Sequence, residues 1–273
     1  MAKYDRAKEQ FDEFLAESDA WFNKDPEPHF SRGYFDTKTW EWVERFQIRE
    51  EPPARLGVLI GDTVHNLRSA LDHLMWQVTL LDGGTPNDST QFPIASKSKA
   101  QFDRMANRRI PGLRAKHRTL LKRVQPYHAG NDAHRHPLSV LATLSNTDKH
   151  QIVNPAYSFI AGDSAKDLDD LVNSFQGPGS PPPVEFFLAK EGQRLIHGTP
   201  WFRIRFPRDQ EPPRRVNVRG EMTLGVGIGE IGVAENDMPK IADFVLALVS
   251  HFAQDFPEPW TRRREATTEP DGH

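Results

Sequence analysis

Apolar residues recur three and four positions apart between Ala54 and Leu81, the clearest pattern in the chain. On a wheel of about 100° per residue, Ile60, Val64, Leu67, Leu71, Leu74, Met75 and Val78 share a narrow arc. This predicts one long helix with a core-facing seam. Glu51-Pro52-Pro53 supplies its start, since a first helical turn tolerates proline, and Asp82-Gly83-Gly84-Thr85-Pro86-Asn87-Asp88 supplies its stop. The opposite side carries Asp62, His65, Ser69, Asp72, His73 and Trp76, with Asn66 at the edge. A plain surface helix would place Lys and Glu there. Short hydrogen-bonding and titratable side chains point to a partly buried polar face instead.

Elsewhere the pattern alternates between the two periods. A first helix is expected over Ala2 to Phe22, ended by Asp25-Pro26-Glu27-Pro28. Two strand-like stretches, His29 to Phe35 and Thr39 to Ile48, read as a hairpin. Helices are predicted over Lys97 to Arg109, Leu113 to Arg123 and Leu138 to His150, the first two split by Pro111-Gly112. Gln151 to Ile160 reads as a strand.

Gln176 to Pro183 is rich in Gly and Pro and reads as a linker or loop. Beyond it, Val184 to Ala189, Arg194 to Phe206, Arg215 to Arg219 and Met222 to Ala234 are strand-like, followed by a helix over Pro239 to Phe256 and a loose tail from Arg262. In Trp201 to Phe206 the period of two turns Phe202, Ile204 and Phe206 inward. The expected class is α+β: a helical, bundle-like middle region, an N-terminal β-hairpin and a C-terminal β-rich part closed by a helix. The corresponding division is 1–175, a linker at 176–183, and 184–273.

Composition narrows the function classes. The chain is 37% hydrophobic and 27% charged, enough apolar residue for a folded core. It has no cysteine, which excludes disulfides, thiolate metal sites and cysteine nucleophiles. No run of apolar residues is long enough for a membrane helix, and the charged, amphipathic N-terminus differs from a secretory signal. A cytoplasmic protein without a membrane partner is the expectation.

The net charge of −3 hides a local excess of cations. From Lys97 to Arg123 there are ten Lys or Arg against the single acid Asp103. Arg104, Arg108, Arg109, Arg114, Lys116, Arg118, Lys122 and Arg123 form a candidate phosphate-attracting segment, to which Lys149 and His150 could add contacts. The alternative is a pair of amphipathic helices with solvated basic faces.

The segment Arg68-Ser69-Ala70-Leu71-Asp72-His73 resembles the signature of the HEPN superfamily, which comprises metal-independent ribonucleases and nucleotide-binding helical domains. More loosely, Gly61 to Leu74 together with Thr147-Asp148-Lys149-His150 is similar to a group of bacterial proteins without an assigned activity. The HEPN resemblance implies attack of a ribose 2′-oxygen on the adjacent phosphate. His73 would then move the proton, and Arg68 would meet the charge that builds on phosphorus. Ser69 and Asp72 would orient them, with Asp62, His65 and Asn66 in support. It implies no metal and no cofactor, a composite site across a homodimer, and a role as a toxin or phage-defence factor with a possible antitoxin partner. Five residues place Arg68 and His73 about 140° apart on one helix, a separation that the composite dimeric site implied by the resemblance would accommodate.

Two other readings compete. The polar face can be a hydrogen-bonded network that fixes helix packing in a non-catalytic binding or scaffold protein, with Arg68 and Asp72 an ordinary ion pair. Alternatively, Asp62 and His65, or His65 and Asp72, could share a ligand face with His128, His134, His136 or His150 around a metal in a hydrolase, although no tight ligand motif is present. Gly225-Val226-Gly227-Ile228-Gly229 is not a dinucleotide loop, because strand-like residues surround it. Trp40, Trp42, Phe46, Trp201 and Phe202 are expected in the core and not on a base-stacking platform.

Overall fold

Helix α1 (Ala2–Phe22) buries Ala7, Phe11, Phe14, Ser18 and Trp21, residues spaced by three and four. It opens a computed structural model that describes residues 1–150, 155–160, 185–190, 193–209, 221–228, 231–234 and 237–256. After α1 come β1 (His29–Asp36), β2 (Glu41–Ile48) and α2 (Ala54–Leu81). Then follow α3 (Lys99–Arg109), α4 (Ala115–Arg123), a 3-10 segment (Pro126–Arg135) and α5 (Pro137–His150). The strands β3 (Pro155–Ile160), β4 (Glu185–Leu188), β5 (Arg194–Leu195), β6 (Pro200–Arg205), β7 (Glu221–Ile228) and β8 (Ile231–Ala234) lead to α6 (Asp237–Ala253). The class is mixed α+β.

By contacts the chain divides into two units that interleave along the sequence. One comprises residues 1–9, 62–146 and 239–273, and the other 10–61 and 147–238. The division falls within α1 and within α2. The first unit is helical, and its core includes Leu67, Leu71, Met75, Phe92, Phe102, Leu141 and Val245. All seven residues of the expected α2 seam are buried.

Among the described residues the second unit holds two antiparallel four-stranded sheets, ordered β1-β2-β6-β4 and β5-β3-β7-β8. The hairpin runs from Asp36↔Glu41 to His29↔Ile48, as its alternation predicts. Its turn ends on Trp40 at φ 62°, a conformation that bulky residues rarely adopt. There the Trp40 amide donates to the Asp36 carbonyl (2.8 Å) and its indole N–H to the Pro207 carbonyl (2.7 Å).

In the first sheet Trp42, Glu44, Phe46, Phe202 and Ile204 share the inner face and are all buried. Among the described residues Glu44 has no cationic partner. It accepts the Trp42 indole N–H (2.8 Å) and the Ser31 hydroxyl (2.6 Å), and Ser31 in turn accepts the Trp201 indole N–H (3.0 Å). Gly33 lies opposite Glu44, and a Cβ at that position would collide with Glu44 Oε1. The core assignment of Trp42, Phe46, Trp201 and Phe202 holds, whereas Trp40 is half-buried.

Several boundaries differ from expectation for local reasons. Helix α3 starts at Lys99 because Ser98 caps it, accepting the Gln101 amide (3.2 Å) while the Gln101 side chain accepts the Lys97 amide (2.9 Å). Helix α4 starts at Ala115, after a turn in which the Leu113 amide reaches the Ile110 carbonyl. The stretch Arg194 to Phe206 is not one strand. Gly198, at φ 84°, turns the chain between β5 and β6, which belong to different sheets. Likewise 222–234 forms two strands, β7 and β8. The expected linker at 176–183, the strand at 215–219, the start of the 151–160 strand and the tail from Arg262 lie outside the described residues.

Candidate functional site

Arg68 and Asp72 sit one helical turn apart on α2 and meet as an ion pair, Nη2 to Oδ1, at 3.0 Å. Both are turned toward the segment Gln91 to Ala95, which is largely buried yet belongs to no helix or strand. Buried backbone groups of that kind need partners from side chains. The Phe92 amide donates to Asp72 Oδ1 (2.8 Å), and the Phe92 carbonyl accepts from Arg68 Nη2 (2.8 Å). Arg109 Nη1 lies 3.5 Å from the same carbonyl. Burial and the neighbouring Arg68 and Arg108 hold the Arg109 guanidinium below its ordinary pKa, with Asp72 opposing. Farther along, the Ala95 amide donates to the buried Gln125 side chain (2.7 Å). Arg68, Asp72 and Gln125 therefore serve as the backbone partners of a segment without a ladder.

The rest of the polar face is dispersed. Asn66 is buried and accepts from Lys3 Nζ (3.1 Å). Asp62, His65 and His73 are exposed, and Ser69 Oγ stands 3.5 Å from His65 Nε2. The His73 ring makes no hydrogen bond or ion pair among the described residues, and Arg68 is not brought to it. Beyond His73 on the same side, Trp76 and Leu80 are exposed large apolar residues.

The basic segment separates into neutralised and unpaired cations. Arg114 pairs with Asp82, Lys116 with Asp255 and Arg118 with Asp103, and Arg118 also donates to Asn107. The side chains of Arg104, Arg108, Lys122 and Arg123 have no such partner among the described residues. Arg104 and Arg108, one turn apart on α3, flank a shallow cavity of about 370 Å³ with Gln101 and Met105. Lys149 and His150 end α5, and their side chains lie outside the described residues.

A third cluster involves a histidine that the sequence reading does not single out. His117 of α4 is buried between two carboxylates, Nδ1 to Asp82 Oδ2 (2.7 Å) and Nε2 to Asp255 Oδ2 (2.9 Å). Only an imidazolium can donate to both. Burial by itself would raise the Asp82 carboxyl. Hydrogen bonds from His117 and from the Arg114 backbone and side chain outweigh it and hold the group below its usual value. Lys116 and then His117 pull Asp255 down to about 2. The cluster ties α4 to the ends of α2 and α6. A cavity of about 470 Å³ opens beside it, lined by Lys116, Thr119, Arg123, His251 and Asp255 among others.

The histidines of the 126–136 segment are engaged separately. His128 Nε2 reaches the Lys122 carbonyl (3.0 Å) and His134 Nδ1 the Asn131 carbonyl (2.9 Å). The His136 ring stacks edge-on with Phe244, and burial lowers its pKa. Among the described residues no three His, Asp or Glu side chains are arranged to hold a metal ion. No described helix is long and apolar enough to cross a membrane. No family model, curated protein or solved structure matches the chain.

Proposed function

We propose that the chain is an RNA-binding protein whose helical unit contacts phosphates through the unpaired cations of α3 and α4. One observation carries this reading: Arg104, Arg108 and Arg123 are exposed with no acidic partner among the described residues, while their neighbours are neutralised. Cations without an internal partner are those able to release counterions when they meet a phosphate backbone. In this reading Arg68 is a positioning residue that holds the Phe92 segment beside α3. The test is binding of labelled single-stranded RNA by anisotropy at several salt concentrations. Replacing both Arg104 and Arg108 by Glu should weaken binding at least tenfold and reduce the slope of log affinity against log salt by about 1–2. Unchanged affinity and slope would remove the proposal.

A second reading keeps ribonuclease chemistry of the HEPN type, and the exposed, unengaged ring of His73 favours it. His73 would work with a cation of a second copy, and Trp76 and Leu80 beside it are apolar residues that a homodimer would cover. Cleavage of RNA in EDTA, lost in His73→Ala with the melting temperature unchanged, supports this reading. A wild type that cleaves nothing as a dimer rejects it.

A further inference from the structure

The sheet β1-β2-β6-β4 has a second face whose chemistry differs from the one that carries Trp42, Glu44, Phe46, Phe202 and Ile204. The ladder places Tyr34, Val43, Arg203 and Phe187 in one row across all four strands, with Val43 buried and the two rings at its ends exposed. Arg32 and Arg45 are paired in the next row of the hairpin. Tyr34 and Phe187 are 39% and 36% exposed, unusual for aromatic residues of a sheet, and Arg32 is exposed as well.

Arginine guanidinium groups lie over both rings. Arg203 stands 4.6 Å from the Phe187 centroid and Arg45 stands 5.7 Å from that of Tyr34. At the end of the face carrying Asp36 and Glu41, Arg205 is neutralised by Glu41 and Glu185. At the other end the cations have no acidic partner among the described residues. There Arg45 donates to neutral oxygens, the Tyr34 hydroxyl (3.1 Å) and the Gly198 carbonyl (2.7 Å). Arg32 has no partner among the described residues, and the buried Nε of Arg203 has none either.

We infer that this second face is a binding surface for single-stranded RNA, with bases stacking on Tyr34 and Phe187 and phosphates meeting Arg32, Arg45 and Arg203. Three strand steps separate the two rings, about 14 Å, a span that one extended strand of a few nucleotides bridges. Planar cations held against aromatic rings offer stacking area together with charge, and both are needed by a strand that presents bases and phosphates in alternation. An acidic peptide would use the charges and leave the rings unused. The choice of RNA as the strand rests on the function proposed above; the makeup of the surface does not.

The experiment uses the full chain and a labelled single-stranded RNA carrying a fluorescent adenine analogue. Tyr34→Ala and Phe187→Ala should each weaken binding about tenfold with little change in salt slope, because stacking releases no counterions. Tyr34→Trp should retain affinity and the quenching of the analogue that reports stacking. Arg32→Glu, on an exposed edge strand where folding is insensitive, should weaken binding at least fivefold and reduce the slope by about 1. If these variants bind as wild type while Arg104→Glu/Arg108→Glu does not, the sheet inference fails and the helical reading stands. The reverse pattern keeps the sheet and removes the helical site. Competition by poly-glutamate equal to that by RNA, with the ring variants unaffected, would also overturn the inference.

Discussion

Replacing Arg68 by Ala separates a positioning role from a catalytic one. The substitution removes the charged donor to the Phe92 carbonyl and the ion pair with Asp72, and leaves the Phe92 amide bound to Asp72. A hydrogen bond to a charged donor contributes about 1.5–3 kcal/mol, and a partly exposed ion pair below about 1 kcal/mol. The Arg68 side chain is 14% exposed and that of Asp72 is 26% exposed, so solvent screens the pair only in part. Arg109, at 3.5 Å from the same carbonyl, recovers some of the loss. A net cost of about 2–3 kcal/mol follows, a fall of about 5–8 °C in melting temperature for a chain of this size. Thermal unfolding by circular dichroism measures it, beside RNA binding on the same preparation. Arg68→Lys should fall between wild type and Arg68→Ala. RNA affinity should change only as far as the folded fraction does. A melting temperature within about 1 °C of wild type, together with loss of RNA cleavage, would refute the positioning argument and return Arg68 to the chemistry.

Three further outcomes are expected. Depressed carboxyl groups contribute stability that is present above their unfolded pKa and lost as pH falls through the folded value. The Asp255 contribution should therefore fade between about pH 4 and pH 2, and that of Asp82 should also be lost on the acid side of its ordinary value. Asp255→Asn should flatten that acid limb of melting temperature against pH and cost roughly 1 kcal/mol at neutral pH after solvent screening, since its side chain is 37% exposed. Gly33→Ala drives a methyl group into the buried Glu44 carboxylate and the Trp42 ring, so it should destabilise the sheet unit by about 2 kcal/mol or more, read as a lower urea midpoint by tryptophan fluorescence. Ser98→Ala removes the α3 cap and should cost about 1 kcal/mol, with faster amide exchange at Gln101 by NMR.

Much of the architecture was legible from local chemistry. Pro52-Pro53 before α2 and Asp82-Gly83 after it mark both ends of the helix, and Gly83 takes φ 82° where the chain leaves. The buried seam from Ile60 to Val78 follows from spacing alone. The hairpin and the inward set Phe202, Ile204 and Phe206 follow from alternation. The Ser98-x-x-Gln101 cap was also present in the sequence as a signal for the true start of α3.

The work done by the polar residues was settled only when the chain closed on itself. Periodicity places Arg68 and Asp72 on one side of α2 but says nothing of the Phe92 backbone, 20 to 24 residues on in the connection after that helix, that occupies both. His117 carries no local mark at all, because its two carboxylates come from positions 35 and 138 residues distant. The count of ten cations was visible from the start. Which of them are neutralised by Asp82, Asp103 and Asp255, and which remain open, depends on tertiary distances. Sequence determined the helices, the strands and their faces, because those depend on residues a few positions apart. The tertiary structure decided which charges are left for a partner, because a side chain bonds to whatever lies within a few ångströms, however far away in the chain.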